Sequence, residues 1–197
     1  MPVKTTNPGM LEIPELKIRV VHIKLVGDSP LIVHAWSKKA RQEMLDKQMG
    51  KATAKKAPKD PEQDYREAFY YCEDGRYGFP AVAFKSAAVD AASQLSGLTK
   101  VFLRGAFHIL GEMVPIEGEP RMREDMVRVG MGTADIRFRP EFPEWSVTVP
   151  VRFSSVITLE QIVHLFNQAG FSCGIGEWRP QKDGPFGMYH VSDVEEL

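Results

Sequence analysis

The 197-residue chain is 43% hydrophobic and 26% charged, a composition that suits one compact domain, or one with a sizeable insertion, and excludes wholesale disorder. Lys and Arg total 25 against 26 Asp and Glu, a formal charge of −1, which excludes a uniformly basic protein but leaves room for local patches. No apolar run approaches the roughly 18 residues that a membrane-spanning helix needs.

Residues 1–14 read as an irregular lead-in without the apolar core of a signal peptide. A strand is predicted over Leu16–Gly27, where Leu16, Ile18 and Val20 alternate with Lys17 and Arg19. Val20-Val21 interrupts the alternation, predicting a bulge or two-sided burial. Ser37 is placed to cap a helix through Met49 that Gly50 stops. From Lys38 to Lys59 eight basic residues face only Glu43 and Asp46, a local charge of +6. From Asp60 to Tyr77 six acids outnumber two arginines, giving −4. The lysine tract at 50–60 has no apolar face to bury and reads as a mobile loop.

A helix over Asp64–Tyr71 and a turn at GRYGFP follow. Pro80–Leu95 reads as an alanine-rich helix, with Val82, Ala83, Ser86, Ala87 and Asp90 as a small-residue face that lies close on a sheet. Lys100–Gly111 reads as a strand, and Gly118–Gly132 as an irregular charged stretch. Trp145–Phe153 alternates cleanly, with Pro150 pointing to an edge or a bulge. Thr158 caps a helix striped by Leu159, Ile162, Val163 and Phe166 and ended by Gly170. Short strands near Phe171–Gly176 and Phe186–Val191 flank a turn-rich loop.

Without insertions this order is β-α-β-β-α-β: an α+β, ferredoxin-like or modified RRM domain with an antiparallel sheet. Residues 30–79 form a basic and acidic insertion after the first strand, and 112–143 a second, irregular one. Another α+β sandwich is the alternative. Two cysteines, Cys72 and Cys173, without a C-x-x-C pair, give neither a disulfide scaffold nor a structural zinc site. They suit a reduced, cytoplasmic setting. No cofactor is implied.

The segment Cys173–Val191, CGIGEWRPQKDGPFGMYHV, carries the most distinctive chemistry. Gly174 and Gly176 allow close approach of backbone to ligand and present N–H groups to phosphate. Arg179 and Lys182 add charge, and Trp178 a flat face for a base. It is neither a P-loop nor a dinucleotide fingerprint, lacking GK[ST] and a following helix. A plain β-hairpin with turn glycines and a core Trp explains it equally.

Three segments together resemble the RAMP superfamily of CRISPR-associated proteins. The G-I-G…G…F-G run is similar to its closing glycine-rich loop. S-P-L-I-V-H at 29–34 resembles the T-P-L-x-(I/V)-G of Cas7-like backbone subunits. G-F-P-A-V-A-F-K-S-A-A-V-D-A-A at 78–92 resembles their I-P-G-S-S-L-K-G-A-L-R helix, with Lys85 at the lysine position. The overall pattern also resembles phage-encoded proteins, which would put it in a host cytoplasm. The resemblance implies single-stranded nucleic-acid binding and stacking into a filament. Lys85 and the loop Gly174–Gly187 would contact the backbone, and 30–79 would serve as a finger or thumb. The chain departs from the pattern where Pro80-Ala-Val-Ala replaces Pro-Gly-Ser-Ser, and where Arg179-Pro180 enters the loop.

Independently, Lys38, Lys39, Lys51, Lys55 and Lys56 could neutralise phosphates as an electrostatic arm, or be a solvated face. Arg104, Arg137, Arg139 and Arg152, on or beside predicted strands, could serve a phosphate or pair with Asp135 or Glu141. R-G-A-F-H at 104–108 only partly matches an RRM aromatic motif. The five histidines lack metal spacing. A metal-independent RAMP endoribonuclease could use His34 with Tyr189 or Lys85, or Asp28 in its loop, although turn chemistry also explains Asp28. A third class is a structural protein whose opposed charge blocks pair between copies, or which binds or mimics such a complex. The reading favoured by the residues is a non-catalytic, oligomerising single-strand binder, largely sequence-independent, with DNA and RNA both open.

Overall fold

The computed structural model describes residues 15–51, 58–130 and 132–196. The described residues form a mixed α+β structure with two antiparallel sheets and five α-helices. β1 (Ile18–Gly27) turns Val21, Ile23 and Leu25 inward, fully buried, and His22 and Lys24 outward, the period-2 pattern of a half-buried strand. The expected irregularity lies not at Val20-Val21 but between Lys24 and Leu25, where pairing with β10 (Tyr189–Glu196) slips. The larger sheet runs β10-β1-β9-β6-β4-β3, with β5 (Phe107–Ile109) also on β9 (Ser146–Ser154). Here β3 is Tyr70–Tyr71, β4 Tyr77–Pro80 and β6 Met113–Glu117. The smaller sheet, β2-β8-β7, joins Leu31–Ile32 of the first predicted insertion to Thr133–Phe142 and Arg121–Val129 of the second.

β9 is central and not an edge. It pairs with β1 on one side and, on the other, with β6 at Val147 and β5 at Val151–Phe153. Pro150 is tolerated because its carbonyl accepts from Leu110 N–H at 2.9 Å, beyond the end of β5. Its missing N–H therefore points at the break between two short strands, where no ladder bond is lost.

α3 (Ala81–Ala91) and α5 (Leu159–Ser172) pack together over this sheet. Phe84, Ala88 and Ala91 of α3 are buried with Ile162, Leu165, Phe166 and Ala169 of α5. The helix is thus rotated from the sequence-based expectation. Phe84 has the most apolar surface to hide, so it faces the core, and Val82 and Ser86 look outward. Thr158 caps α5 as predicted, and the cap is a full capping box: Thr158 Oγ1 accepts from Gln161 N–H, and Gln161 Oε1 from Thr158 N–H. Ser37 likewise caps α1 (Lys38–Gln48) by accepting from Ala40 N–H.

Four other expectations are corrected. Lys100–Ala106 is a helix, α4, before the three-residue β5, because Thr99 caps it and Leu103 and Ala106 share one buried face. The segment read as irregular forms the β7–β8 hairpin, whose inward face is charged and ion-paired and so has no apolar period. The helix over Asp64–Tyr71 is α2 (Pro61–Glu67), capped by Asp60, followed by β3. Finally, Phe171–Gly176 is no strand, since α5 continues through Gly170 to Ser172.

Gly170 is in the helix because a Cβ there would strike the Tyr189 carbonyl. Gly170→Ala should therefore cost about 1–3 kcal/mol as overpacking. Gly105→Ala in α4, where a Cβ meets nothing within 4 Å, should instead gain roughly 0.5–1 kcal/mol. Urea midpoints of the two variants give both signs.

Candidate nucleic-acid interface

The three segments that carry the family resemblance meet in space. The turn after β1 and the loop at 173–188 are stitched together by backbone bonds. Gly187 N–H donates to Pro30 C=O and Glu177 N–H to Ile32 C=O, both at 2.9 Å. Met188 N–H donates to Ser29 Oγ at 3.0 Å, and Asp28 N–H to Met188 C=O at 2.8 Å. At Gly176 (φ 78°) a Cβ would meet Ile32 O, and at Gly187 (φ 69°) it would meet Ile175 O. These glycines permit backbone to pass against backbone. The expectation that the loop offers its amides to phosphate changes accordingly: the N–H groups of Gly174, Ile175, Glu177, Gly184 and Gly187 are bonded within the protein.

Between this loop and α3 lies a cleft of about 370 Å³. One wall is Val82, Ala83 and Ser86, the other Gly174, Gly176 and Arg179, and His34 and Tyr70 close one end. Gln181 ties the walls together, donating to Asp90 Oδ2 at 2.8 Å, while Asp90 Oδ1 pairs with Lys100 at 2.7 Å. A second cleft of about 210 Å³ adjoins it across the shared residues Val82 and Ser86, lined by Lys85 and Arg104. Lys85 Nζ donates to Arg104 C=O at 3.0 Å and to His108 Nδ1 at 3.2 Å. Burial draws its ammonium below the usual lysine range. Among the described residues no carboxylate lies within ion-pair distance of Lys85, Arg104, Arg179 or Lys182, although Asp90, paired with Lys100, lines the smaller cleft beside Arg104 and feels its charge.

Behind the loop stands a charged cluster that the sequence did not foretell. Arg139 is 1% exposed and donates to Asp125 at 2.6 Å and to Glu177 at 3.3 Å. Glu141, also buried, receives Arg121 at 2.6 Å and Arg123 at 2.8 Å. Arg137 pairs with Asp135 at 3.7 Å as one alternative held, but Arg139 does not pair with Glu141. Trp178 is committed here: its ring lies 5.0 Å from the Arg139 guanidinium, 5.4 Å from that of Arg123, and 6.1 Å from Phe186. Its backbone is left-handed (φ 51°), a conformation costing about 1–3 kcal/mol unless the surroundings hold it.

Other sequence-predicted residues lie elsewhere. Lys182 is exposed in a 3₁₀ turn over Pro180–Lys182. Lys51 pairs with Asp46 at 2.9 Å. Lys38 and Lys39 open α1, and Lys55 and Lys56 lie outside the described residues. Asp28 pairs with His190 at 2.6 Å. Tyr189 is buried between Phe84 and Trp145, its hydroxyl unbonded and its acidity strongly suppressed by burial. It does not share the cleft with His34, and Lys85 is on the far side of the Val82–Ser86 ridge. Among the described residues no group of three His, Cys, Asp or Glu could hold a metal ion, and no helix is long and apolar enough to cross a membrane.

No family model and no curated protein matches this sequence. A chain of the cryo-EM structure of the type III-B Cmr-beta bound to cognate target RNA matches with a TM-score of 0.57 at 6% identity. The match covers 92% of this chain and 61% of that one, so this chain spans about three fifths of its length. The likeness is one of fold.

His34 titrates below its ordinary 6.5, first because it is half-buried and second because Arg137 stands beside it, against the pull of Glu177. The unfolded chain therefore takes up this proton first as pH falls, and stability should decline below pH 6.5 until folded His34 itself protonates. Urea midpoints between about pH 8 and pH 5 should show that slope, and His34→Gln should flatten it.

Proposed function

We propose that this protein is a non-catalytic, single-stranded nucleic-acid-binding protein of the RAMP, Cas7-like kind that oligomerises along its strand. One observation carries the reading: the three segments resembling that superfamily, distant in sequence, line or build a single cleft flanked by cations that make no ion pair among the described residues. The fold likeness to a chain of an RNA-bound type III-B structure supports it. So does the strand order β10-β1-β9-β5, antiparallel throughout. With α3 between β1 and β5, and α5 between β9 and β10, it fits the split βαβ of a ferredoxin-like or modified RRM domain.

The strand's phosphates run over Lys85 and Arg104 toward Arg179 and Lys182, with the lysines of 38–59 as a further arm. The 30–79 span serves as finger or thumb. Neither partner that the sequence offers His34 shares its cleft, since Tyr189 is in the core and Lys85 donates to Arg104 and His108. That supports binding over strand cleavage.

Fluorescence anisotropy with labelled single- and double-stranded DNA and RNA at two salt concentrations tests this. Single strands should bind more tightly than duplexes, and negative-stain images of the complex should show filaments. The double variant Arg179→Ala, Lys182→Ala should weaken binding and shallow the log-salt slope by about 0.7 for each lost phosphate contact. Absence of binding at low salt would discard the reading, and an unchanged slope would remove the loop from it.

A further inference from the structure

Within that single-strand reading, on which this inference rests, the larger cleft and the smaller one have different chemistry. The larger holds one cation, Arg179, and one carboxylate, Glu177, so its side chains give it no net attraction for phosphate. Arg179 is held by Nε, which donates to Gln181 at 3.2 Å, and by Nη1, which donates to Gly176 C=O at 3.0 Å, and keeps Nη2 for a backbone phosphate at the edge of the cleft. Apart from Ser86 and Gln181, the cleft's remaining side chains are apolar or ring-shaped: Phe79, Pro80, Ala83 and Ile175 beside the rings of Tyr70 and His34. Tyr70 is fixed by its hydroxyl, which donates to His34 C=O at 3.1 Å. A volume of about 370 Å³ is near the lower end of ligand pockets, about 300–1,000 Å³, and suits one flat ring system with its sugar at the mouth. In the smaller cleft Lys85 and Arg104 outnumber Asp90, whose charge Lys100 already meets, so that cleft is the one suited to phosphate.

Glu177 supplies a directional feature. Its Oε2 accepts from Arg139 at 3.3 Å. Its Oε1 stands 3.9 Å from His34 Nδ1, too far for a hydrogen bond. Arginine can only donate, so the 3.4 Å contact of Arg137 with His34 Nδ1 makes that nitrogen the acceptor and leaves the imidazole proton on Nε2. Nδ1 then offers Glu177 nothing. Oε1 is a charged acceptor on the wall of a base-sized cleft.

We propose that this cleft seats one nucleobase of the bound strand and that Glu177 Oε1 accepts a hydrogen bond from its exocyclic amino group. Cytosine and adenine carry such a group on the base edge. Uracil and thymine present a carbonyl oxygen there, which a carboxylate repels. The phosphates on either side remain on Lys85 and Arg104, across the Val82–Ser86 ridge, and on Arg179 and Lys182. Binding is then broadly tolerant of sequence but disfavours runs of uracil or thymine.

Anisotropy with short labelled homopolymers of cytosine, adenine, and uracil or thymine tests this at one salt concentration. Cytosine and adenine runs should bind about tenfold more tightly, within the range of one good base-edge contact. Glu177→Gln, whose amide can turn its NH₂ toward a carbonyl, should erase or reverse the preference. Ala83→Phe, which fills the cleft from a half-exposed position, should erase it while keeping salt-dependent binding. Equal affinities in the native protein, unaltered by Glu177→Gln, would overturn the base seat and leave the strand-binding reading standing. No binding of any homopolymer at low salt would overturn both.

Discussion

The guanidinium of Arg139 ties the β7–β8 hairpin to the glycine-rich loop. It reaches Asp125 across the β7–β8 hairpin and Glu177 on the glycine-rich loop from a position with 1% exposure. An ion that deep is tolerable only when paired and hydrogen-bonded, because leaving water costs several kcal/mol. Asp125 meets that demand at 2.6 Å and is itself buried. Among the described residues the Nε of Arg139 has no hydrogen-bond partner, so the pairing is not surplus: removal of either carboxylate would leave a buried charge further uncompensated. Trp178 and Phe186 enclose the same cluster, Trp178 near both guanidiniums and Phe186 4.8 Å from Arg123.

From this anchor the cleft follows. Glu177 is fixed at its side chain by Arg139 and at its backbone by Ile32, so the loop has one path between the hairpin and the turn after β1. Gly176 lets it lie against Ile32 of β2, and Gly187 lets its two ends pass each other at Ile175. α3 supplies the facing wall because its bulky apolar residue, Phe84, points into the core and leaves Ala83 and Ser86 on the cleft side. Asp90 and Gln181 close the span at one end. The site is thus a by-product of three demands: burying Phe84, pairing Arg139 and threading a loop over Ile32.

Where local chemistry decided the outcome, the sequence was readable. The alternation of β1 and β9, the Ser37 cap and the Thr158 cap were all legible, as were the three segments that converge on the cleft. Where tertiary partners decided it, the sequence misled. KVFLRGAFHI has strand-like residues, yet Thr99 and the buried pair Leu103–Ala106 make its first half helical. Arg121, Arg123 and Asp125 look like loop residues because strands with a charged buried face break the hydrophobic rule, and their compensating partners are distant. Gly170 mimics a helix stop but is a contact with Tyr189. Glu177 and Gln181 drew no notice because their roles depend on Arg139 and Asp90, residues that no local pattern links to them.

The most direct test of this account is the effect of Arg139→Met on stability and on single-strand affinity, measured on the same preparation by urea titration and anisotropy. Arg139 does not line the cleft, so any effect on affinity must pass through the loop it holds. The account predicts a loss of roughly 3–5 kcal/mol, the cost of stranding a buried partner, together with markedly weaker binding under conditions where the variant is still folded. A folded variant with native affinity would contradict it.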